Sequence, residues 1–195
     1  MMLMETLKEM KTFSMSTYNE SVDEFHLAFN HPRNKVEDVI SLKIRRQRLN
    51  LIFEELEELS QAMDTQEAFA SLCAYSHEKW KYRGSVIDGD NVNKKEELDA
   101  LCDIQYVLSG AIISLGHYAN FDKAFDDVHT SNMSKMCANL REVDDTVMHY
   151  IHVRGESDSN IKYTKKGDKY IVYRVADDKI LKNVHYSAVD LTKYI

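Results

Sequence analysis

The sequence predicts an all-α domain that ends in a small β-hairpin. Apolar residues recur at helical spacing in six successive segments, a pattern typical of helices that bury one face. One of these segments contains a nearly uninterrupted apolar run, Ile104–Leu115, which predicts a helix that is buried on almost all sides. After Gly155 the period changes to the alternation of a strand. We therefore divide the chain into an N-terminal tail at residues 1–16, a helical domain at 17–154 and a C-terminal extension at 155–195.

Three helices are predicted in the first half of the helical domain. The first, Tyr18–Phe29, ends before Pro32, because proline disfavours the helical conformation of the residue that precedes it. The second, Lys35–Met63, is the longest, and the third is Glu67–His77. The segment Lys79–Asn93 mixes turn residues with aromatic residues, which is typical of a lid or a surface loop.

Three more helices and a hairpin complete the prediction. The helices are Lys94–Leu115, which ends at Gly116 in the left-handed conformation, then Phe121–Met136 and Leu140–Val153. Lys169–Val175 alternates as a strand.

The Asp177-Asp178 pair predicts a turn, after which Lys179–Lys182 pairs back onto the strand. This lysine-rich hairpin is expected to be a solvated edge or a dimer contact.

Composition excludes several classes of protein. With 195 residues and 44% hydrophobic content, the chain can bury one sizeable core. A net charge of −7 disfavours nucleic acid as a partner, because binding a phosphate backbone requires a basic face. The three cysteines, Cys73, Cys102 and Cys137, are widely spaced and odd in number, so we expect buried free thiols in a reducing cytoplasm. No segment has the length of a membrane span, and no membrane contact is expected.

Two clusters of acidic residues lie at helical spacing in the second and fourth predicted helices. Their members are Glu54, Glu55 and Glu58 in the first cluster, and Glu96, Asp99 and Asp103 in the second. Adjacent apolar residues place these carboxylates at or near the core, where an unpaired charge is costly. Mg²⁺ is the natural partner, since it binds carboxylates together with water and phosphate oxygens. A solvated helix face is the alternative for one such run, but two runs on helices that can pack together favour the metal.

Several segments carry a resemblance to a known family. RQRLNLIFEELEEL and EELDALCDIQYVLSGAIISLG resemble the all-α nucleotide pyrophosphohydrolase superfamily, which includes MazG, the dimeric dUTPases and phosphoribosyl-ATP pyrophosphohydrolase. EFHLAFNHP, DVHTSNMSKM and DDKILKNVHYSAVDLTKYI resemble a MazG-like branch that is common in phages and bacteria. The resemblance implies a helical bundle completed by oligomerisation, as a homodimer or homotetramer. It also implies that a nucleoside or deoxynucleoside triphosphate is hydrolysed to the monophosphate and pyrophosphate with Mg²⁺ or Mn²⁺.

The family's acidic motifs transfer to individual residues of this chain. The EExxE motif falls on Glu54, Glu55 and Glu58, which are the expected catalytic residues. The resemblance implies that Glu55 and Glu58 hold metal and that Glu54 bonds groups around the metal or a metal-bound water. The Asp of the ExxD motif falls on Asp103, but its Glu falls on Ala100. Asp99 is the preferred substitute because residues four apart share a helix face. Glu96 with Asp99 forms a literal ExxD and stays an alternative.

Cationic and polar residues are expected to bind the triphosphate of the substrate. Lys135 is the main candidate, Asn132 lies beside it, and Arg48 precedes the first acidic cluster. For Arg48, a salt bridge within its own helix is an equal alternative. His26 and His129 are interpreted as hydrogen-bonded structural residues rather than ligands.

Control of the nucleotide pool is the function that the sequence favours. Hydrolysis of phosphoribosyl-ATP in histidine synthesis is the second reading within the enzyme class. A non-catalytic scaffold or nucleotide-binding protein of the same fold is the rival from another class, because the second acidic motif is altered. The preferred base and sugar do not follow from the sequence.

Overall fold

The computed structural model of the chain is mostly helical, with a small two-stranded antiparallel sheet, as predicted. It describes residues 16–81 and 92–195. Within these residues the elements are α1 (Ser16–Ala28), α2 (Leu42–Ala62), α3 (Gln66–Lys81), α4 (Lys94–Ser114), α5 (Phe121–Met133), α6 (Leu140–His152), β1 (Ile161–Lys166) and β2 (Lys169–Arg174).

These elements belong to two compact units. One unit is Asn34–Tyr106, and the other combines the chain up to Arg33 with Val107–Ile195. Helix α4 begins in the first unit and continues into the second. The predicted extension after Gly155 belongs to the same unit as α5 and α6, and the predicted domain boundaries stay predictions.

Helix α1 ends ahead of the proline, as predicted, and one residue before the predicted Phe29. Its last residue is Ala28, Asn30 adopts the left-handed conformation with φ of 56°, and the His31 amide donates to the carbonyl of His26 over 2.9 Å. The side chain of His26 is also structural, as expected, because its Nδ1 lies 2.9 Å from the carbonyl oxygen of Pro32.

Helix α2 begins seven residues later than predicted, at Leu42 rather than Lys35. The carboxylate of Asp38 accepts from the Lys35 amide over 2.7 Å, and the Asp38 amide donates to the Lys35 carbonyl over 3.1 Å. This local turn competes with the helix. The side chain of Ser41 then accepts from the Ile44 amide over 3.4 Å, which caps the new start of α2.

Helices α2 and α3 form a tight pair. The carbonyl of Ser60 accepts from the amide of Thr65 over 2.9 Å and from its hydroxyl over 3.2 Å. The rings of Phe53 and Phe69 pack with their centroids 5.4 Å apart. Helix α3 is longer than predicted at both ends, so the first residues of the predicted loop are helical, and residues 82–91 of that loop lie outside the described residues.

Helix α4 was expected to be buried on nearly all sides, and in the single chain this expectation is wrong. It begins at the predicted Lys94 and ends one residue before the predicted Leu115, and Gly116 then takes φ of 85°. However, none of its residues is buried, and Val107 and Ile113 are 66% and 60% exposed. The apolar period is present, but no described element of the same chain covers it.

Helix α5 packs against α1 in the second unit. The ring of Tyr18 lies 6.1 Å from that of Phe121 and 4.6 Å from that of Phe125. Helix α5 ends at Met133 rather than at the predicted Met136, because Cys137 is drawn into a bridge with Tyr170 on β2. Helix α6 keeps its predicted start, and the Asn139 side chain caps it by accepting from the Glu142 amide over 3.0 Å.

The hairpin is confirmed, but its main partner strand differs from the prediction. Strand β2 pairs with β1, which precedes it, and Gly167 takes φ of 60° in the turn between them. The predicted return segment is present as an isolated bridge between Tyr173 and Ile180. Among the side chains of β1, only that of Ile161 is buried, and it joins Val172 in the core beneath α6.

The cysteines were all expected to be buried, which holds for Cys137 alone. Cys73 is half-buried and Cys102 is exposed, and all three are free thiols. Burial raises the pKa of the Cys137 thiol. In the part of the chain that the structure describes, no helix has the length and apolar character that crossing a membrane requires.

Candidate metal and substrate site

The first acidic cluster lies on the middle of α2. Glu54, Glu55 and Glu58 are exposed in the single chain, which corrects the expectation that they lie at or near the core. The apolar neighbours Leu56 and Leu59 are exposed as well. Because residues three apart share a helix face, Glu55 and Glu58 project from the same side of α2.

The second acidic cluster lies in the first half of α4, and its members are also exposed. Glu96 occupies the first turn, where its amide donates to the Asn93 side chain over 3.3 Å and its carboxylate lies 3.9 Å from the Lys95 ammonium. An acidic residue in this position stabilises the helix N-terminus. Asp99 and Asp103 lie one turn apart, further along the helix. The choice of Asp99 rather than Glu96 as the partner of Asp103 stays a prediction.

The two clusters provide carboxylates that suit a hard cation, but in the described part of the single chain the carboxylates do not converge on one point. Within residues 16–81 and 92–195, no group of three or more His, Cys, Asp or Glu side chains is close enough to hold a metal ion. Each helix instead offers a pair of carboxylates, Glu55 with Glu58 and Asp99 with Asp103. Carboxylate oxygens are what Mg²⁺ prefers, so the residue types fit the ion. The convergence of the four carboxylates stays a prediction.

Arg48 lies on the same helix as the first acidic cluster. Its side chain is half-buried, and it precedes Glu55 by seven residues, which are two helical turns. The guanidinium therefore projects from the same side of α2 as the carboxylate of Glu55.

The other predicted substrate residues lie at the end of α5. Asn132 is in the last turn of this helix, and the Lys135 amide donates to the Asn132 carbonyl over 3.2 Å in the turn that follows. The structure thus brings these two residues together. Both are half-buried, and the ammonium of Lys135 lies 5.6 Å from the centre of the Phe25 ring on α1. At this distance a cation is attracted to the face of an aromatic ring.

Phe25 is a residue of this site that the motifs did not reveal. Its ring also packs against Phe29, at 4.3 Å between centroids, and against His31, at 5.5 Å. One turn before Asn132, Nε2 of His129 lies 3.2 Å from a carboxylate oxygen of Glu24, which supports the structural interpretation of this histidine. The only signal in the sequence was the position of Phe25 within EFHLAF, and an aromatic residue in such a segment predicts helix packing rather than a contact with substrate.

Comparison with known proteins adds one match that covers most of these residues. Residues 22–132 match the family described as phosphoribosyl-ATP pyrophosphohydrolase. This region contains both acidic clusters, Arg48 and Asn132, and it ends before Lys135.

One similar protein comes from a virus. "Uncharacterized protein L479" of Acanthamoeba polyphaga mimivirus is 38% identical to this chain over 69 residues. The aligned part is 34% of this chain and 28% of the viral protein. No solved structure matches the chain.

Proposed function

The chain belongs to the phosphoribosyl-ATP pyrophosphohydrolase family, and from this membership we propose that it hydrolyses a nucleoside or deoxynucleoside triphosphate to the monophosphate and pyrophosphate. The observation that carries the proposal is the family match over residues 22–132, which includes both acidic clusters. Helices α2 and α4 present these clusters as two pairs of carboxylates at helical spacing. The expected role of the enzyme is control of the nucleotide pool.

The acidic residues take separate roles in this proposal. Glu55, Glu58, Asp99 and Asp103 hold Mg²⁺ or Mn²⁺. The bound ion would lower the pKa of a water molecule and offset the charge of the phosphate oxygens. Glu54, one residue before the first ligand, accepts a hydrogen bond from the attacking water and orients it.

The predicted substrate residues would offset the repulsion between the acidic chain and an anionic substrate. The chain carries a net charge of −7, so a triphosphate is repelled unless local cations bind it. Lys135 provides one such cation, and its ammonium is already restrained over the Phe25 ring. Asn132 offers a neutral amide to the base, sugar or phosphate, and Arg48 offers a second cation on the side of α2 that carries Glu55.

Self-association as a homodimer or homotetramer is part of the proposal. In a single chain, α2 buries only Ser60, and α4 buries no residue. Large apolar side chains left in water, such as Val107 and Ile113 at more than half exposure, favour association with another apolar surface. A second copy of the chain supplies such a surface, and association would cover the helix faces that carry the acids.

Hydrolysis of phosphoribosyl-ATP is the second candidate, because the matching family is described by that activity. The experiment is a panel of ribonucleoside and deoxyribonucleoside triphosphates together with phosphoribosyl-ATP, incubated with Mg²⁺ or Mn²⁺. Pyrophosphate and phosphate are measured separately, since release of pyrophosphate identifies cleavage after the α-phosphate. We expect pyrophosphate from at least one nucleoside triphosphate. Turnover of phosphoribosyl-ATP alone would select the second candidate, and no turnover at all would select a non-catalytic scaffold.

A further inference from the structure

The carboxamide of Asn183 binds the backbone on both sides of Lys135. Its Nδ2 donates to the carbonyl of Ser134 over 2.8 Å and to the carbonyl of Met136 over 2.6 Å. Its Oδ1 accepts from the amide of His185 over 2.6 Å, which fixes the orientation of the carboxamide. Asn183 is only 6% exposed, so these hydrogen bonds are shielded from water.

The position of these bonds explains why an asparagine is suited to the site. The last carbonyls of a helix, and those of the turn after it, have no partner within the helix. A buried carbonyl without a partner is costly, so a side chain with two N–H groups satisfies both carbonyls at once. The peptide group that precedes Lys135 and the one that follows Met136 are thereby held in one orientation.

The segment that carries Asn183, from Lys182 to Ser187, is anchored to α5 and to the turn after it. The hydroxyl of Ser131 donates to the carbonyl of Ser187 over 2.7 Å and lies 2.9 Å from the hydroxyl of Tyr186. The hydroxyl of Ser134 accepts from the Ser187 amide over 3.0 Å and donates to the Ser131 carbonyl over 2.7 Å.

On its other side this segment is anchored to α6. The amide of Lys182 donates to the hydroxyl of Tyr150 over 3.1 Å, and the amide of Val184 donates to that of Thr146 over 3.2 Å. The segment from Lys182 to Ser187 therefore connects α6 to the turn that carries Lys135.

We propose that Asn183 is a positioning residue that fixes Lys135 for binding the phosphate groups of the substrate. The proposal rests on the proposed function, in which Lys135 contacts the triphosphate. Asn183 sets the backbone of Lys135, and the Phe25 ring restrains its ammonium, so the side chain is held at both ends. Asn183 lies outside the region that matches the family, which gives the C-terminal extension a part in substrate binding.

The test compares Asn183→Ala with the wild-type protein in two measurements. The first is KM and kcat for the best nucleotide of the panel, and the second is the Kd for inorganic pyrophosphate with Mg²⁺. Misplacing a binding group weakens ground-state binding, so we expect KM and Kd to rise about tenfold while kcat changes less than about twofold.

Two further variants separate positioning from a general effect on folding. Tyr194→Phe removes a hydroxyl that binds α5 before its last turn, at the Asp127 carboxylate over 2.7 Å and the Lys123 carbonyl over 3.3 Å, and should leave KM and Kd unchanged. In a Lys135→Ala background, Asn183→Ala should produce no further rise, because the group that it positions is gone. If Asn183→Ala does not fold, Ser134→Ala loosens the same turn without exposing the two carbonyls, and it should raise Kd severalfold.

Each failure has a distinct signature. If the wild-type protein turns over nucleotides but Asn183→Ala and Ser134→Ala leave KM and Kd unchanged, the positioning role is wrong and the proposed function stands. If the wild-type protein has no turnover, the proposed function fails, and the pyrophosphate Kd alone decides the role of Asn183. A wild-type protein that does not bind pyrophosphate overturns the proposal, and so does an equal rise in the Lys135→Ala background.

Discussion

The ammonium of Lys135 lies 5.6 Å from the centre of the Phe25 ring, so the turn after α5 and the helix α1 meet at a candidate substrate residue. The two residues are far apart in the sequence, and both are half-buried. A cation that is already ordered loses less conformational freedom when an anionic ligand binds it. In the proposed function, this contact links the packing of α1 to the binding of substrate.

Replacing Phe25 by leucine should weaken binding of the nucleotide. Leucine keeps an apolar side chain but removes the aromatic face, which contributes about 0.5–1 kcal/mol in a contact of this kind. We expect KM to rise about two- to fivefold with little change in kcat. Phe25→Tyr is the matched control, since it keeps the aromatic face and should retain the KM of the wild-type protein. Equal KM values for the leucine and tyrosine variants would show that the ring does not restrain Lys135.

Placing a charge on α4 should reduce self-association. Val107 is 66% exposed in the single chain, and in the proposed oligomer its side chain is covered by another copy. Val107→Lys would bury an unpaired charge there, which costs several kcal/mol. Light scattering at micromolar concentration should show an oligomer for the wild-type protein and a smaller species for this variant.

The control for this prediction is another exposed valine away from α4. Val39 is 97% exposed in the segment before α2, and Val39→Lys should keep the oligomeric state of the wild-type protein. A wild-type protein that scatters as a monomer would contradict the prediction.

The three-residue network around Arg174 predicts how stability depends on pH. Its guanidinium binds the Glu156 carboxylate over 2.9 Å and the Asp177 carboxylate over 2.6 Å, and these hydrogen bonds lower the pKa of both acids. A lowered folded pKa adds stability above the unfolded value of about 4, and this stability is lost as pH falls through the lowered value. The melting temperature should therefore fall as the pH is lowered from 6 to 3.

Arg174→Met tests this network directly. Without the guanidinium, the variant should melt at a lower temperature at pH 6 and lose less on acidification. Arg141 is exposed on α6, and Arg141→Met should keep the pH dependence of the wild-type protein. If the melting temperatures of the wild-type protein and Arg174→Met fall equally between pH 6 and 3, the network does not contribute to the pH dependence of stability. Thermal melts followed by circular dichroism provide the measurement.

The sequence predicted the type and order of the elements better than their ends. Val36, Val39 and Ile40 have the apolar spacing of a helix. However, this segment forms the turn closed by Asp38 instead, so α2 starts at Leu42. Strand β1 was missed because only Ile161 on it is buried and its lysines give no clear alternation. In the first case a local contact outweighs the periodicity, and in the second the strand has no periodicity to detect.

The candidate site was predictable where it depends on spacing within one helix. The pairs Glu55 with Glu58 and Asp99 with Asp103 follow from helical geometry. The burial of these acids was wrong for a single chain, because periodicity identifies an apolar face without showing what covers it. The role of Asn183 could not be predicted from the sequence, because its hydrogen bonds to Ser134 and Met136 span 49 and 47 residues and follow no short motif.

The central claim is that Glu58 is a ligand of the catalytic metal, and its neighbour Glu57 provides the control. Both are exposed on α2, but Glu57 does not share the face of Glu55 and Glu58. Each glutamate is replaced by glutamine, which keeps size and removes one charge. The measurement is pyrophosphate release with Mg²⁺, together with the rise in melting temperature that Mg²⁺ causes by binding the folded state. We expect Glu58→Gln to abolish turnover and weaken this rise, and Glu57→Gln to keep both. Equal activity and an equal Mg²⁺ response in the two variants would contradict the assignment and leave a solvated helix face in its place.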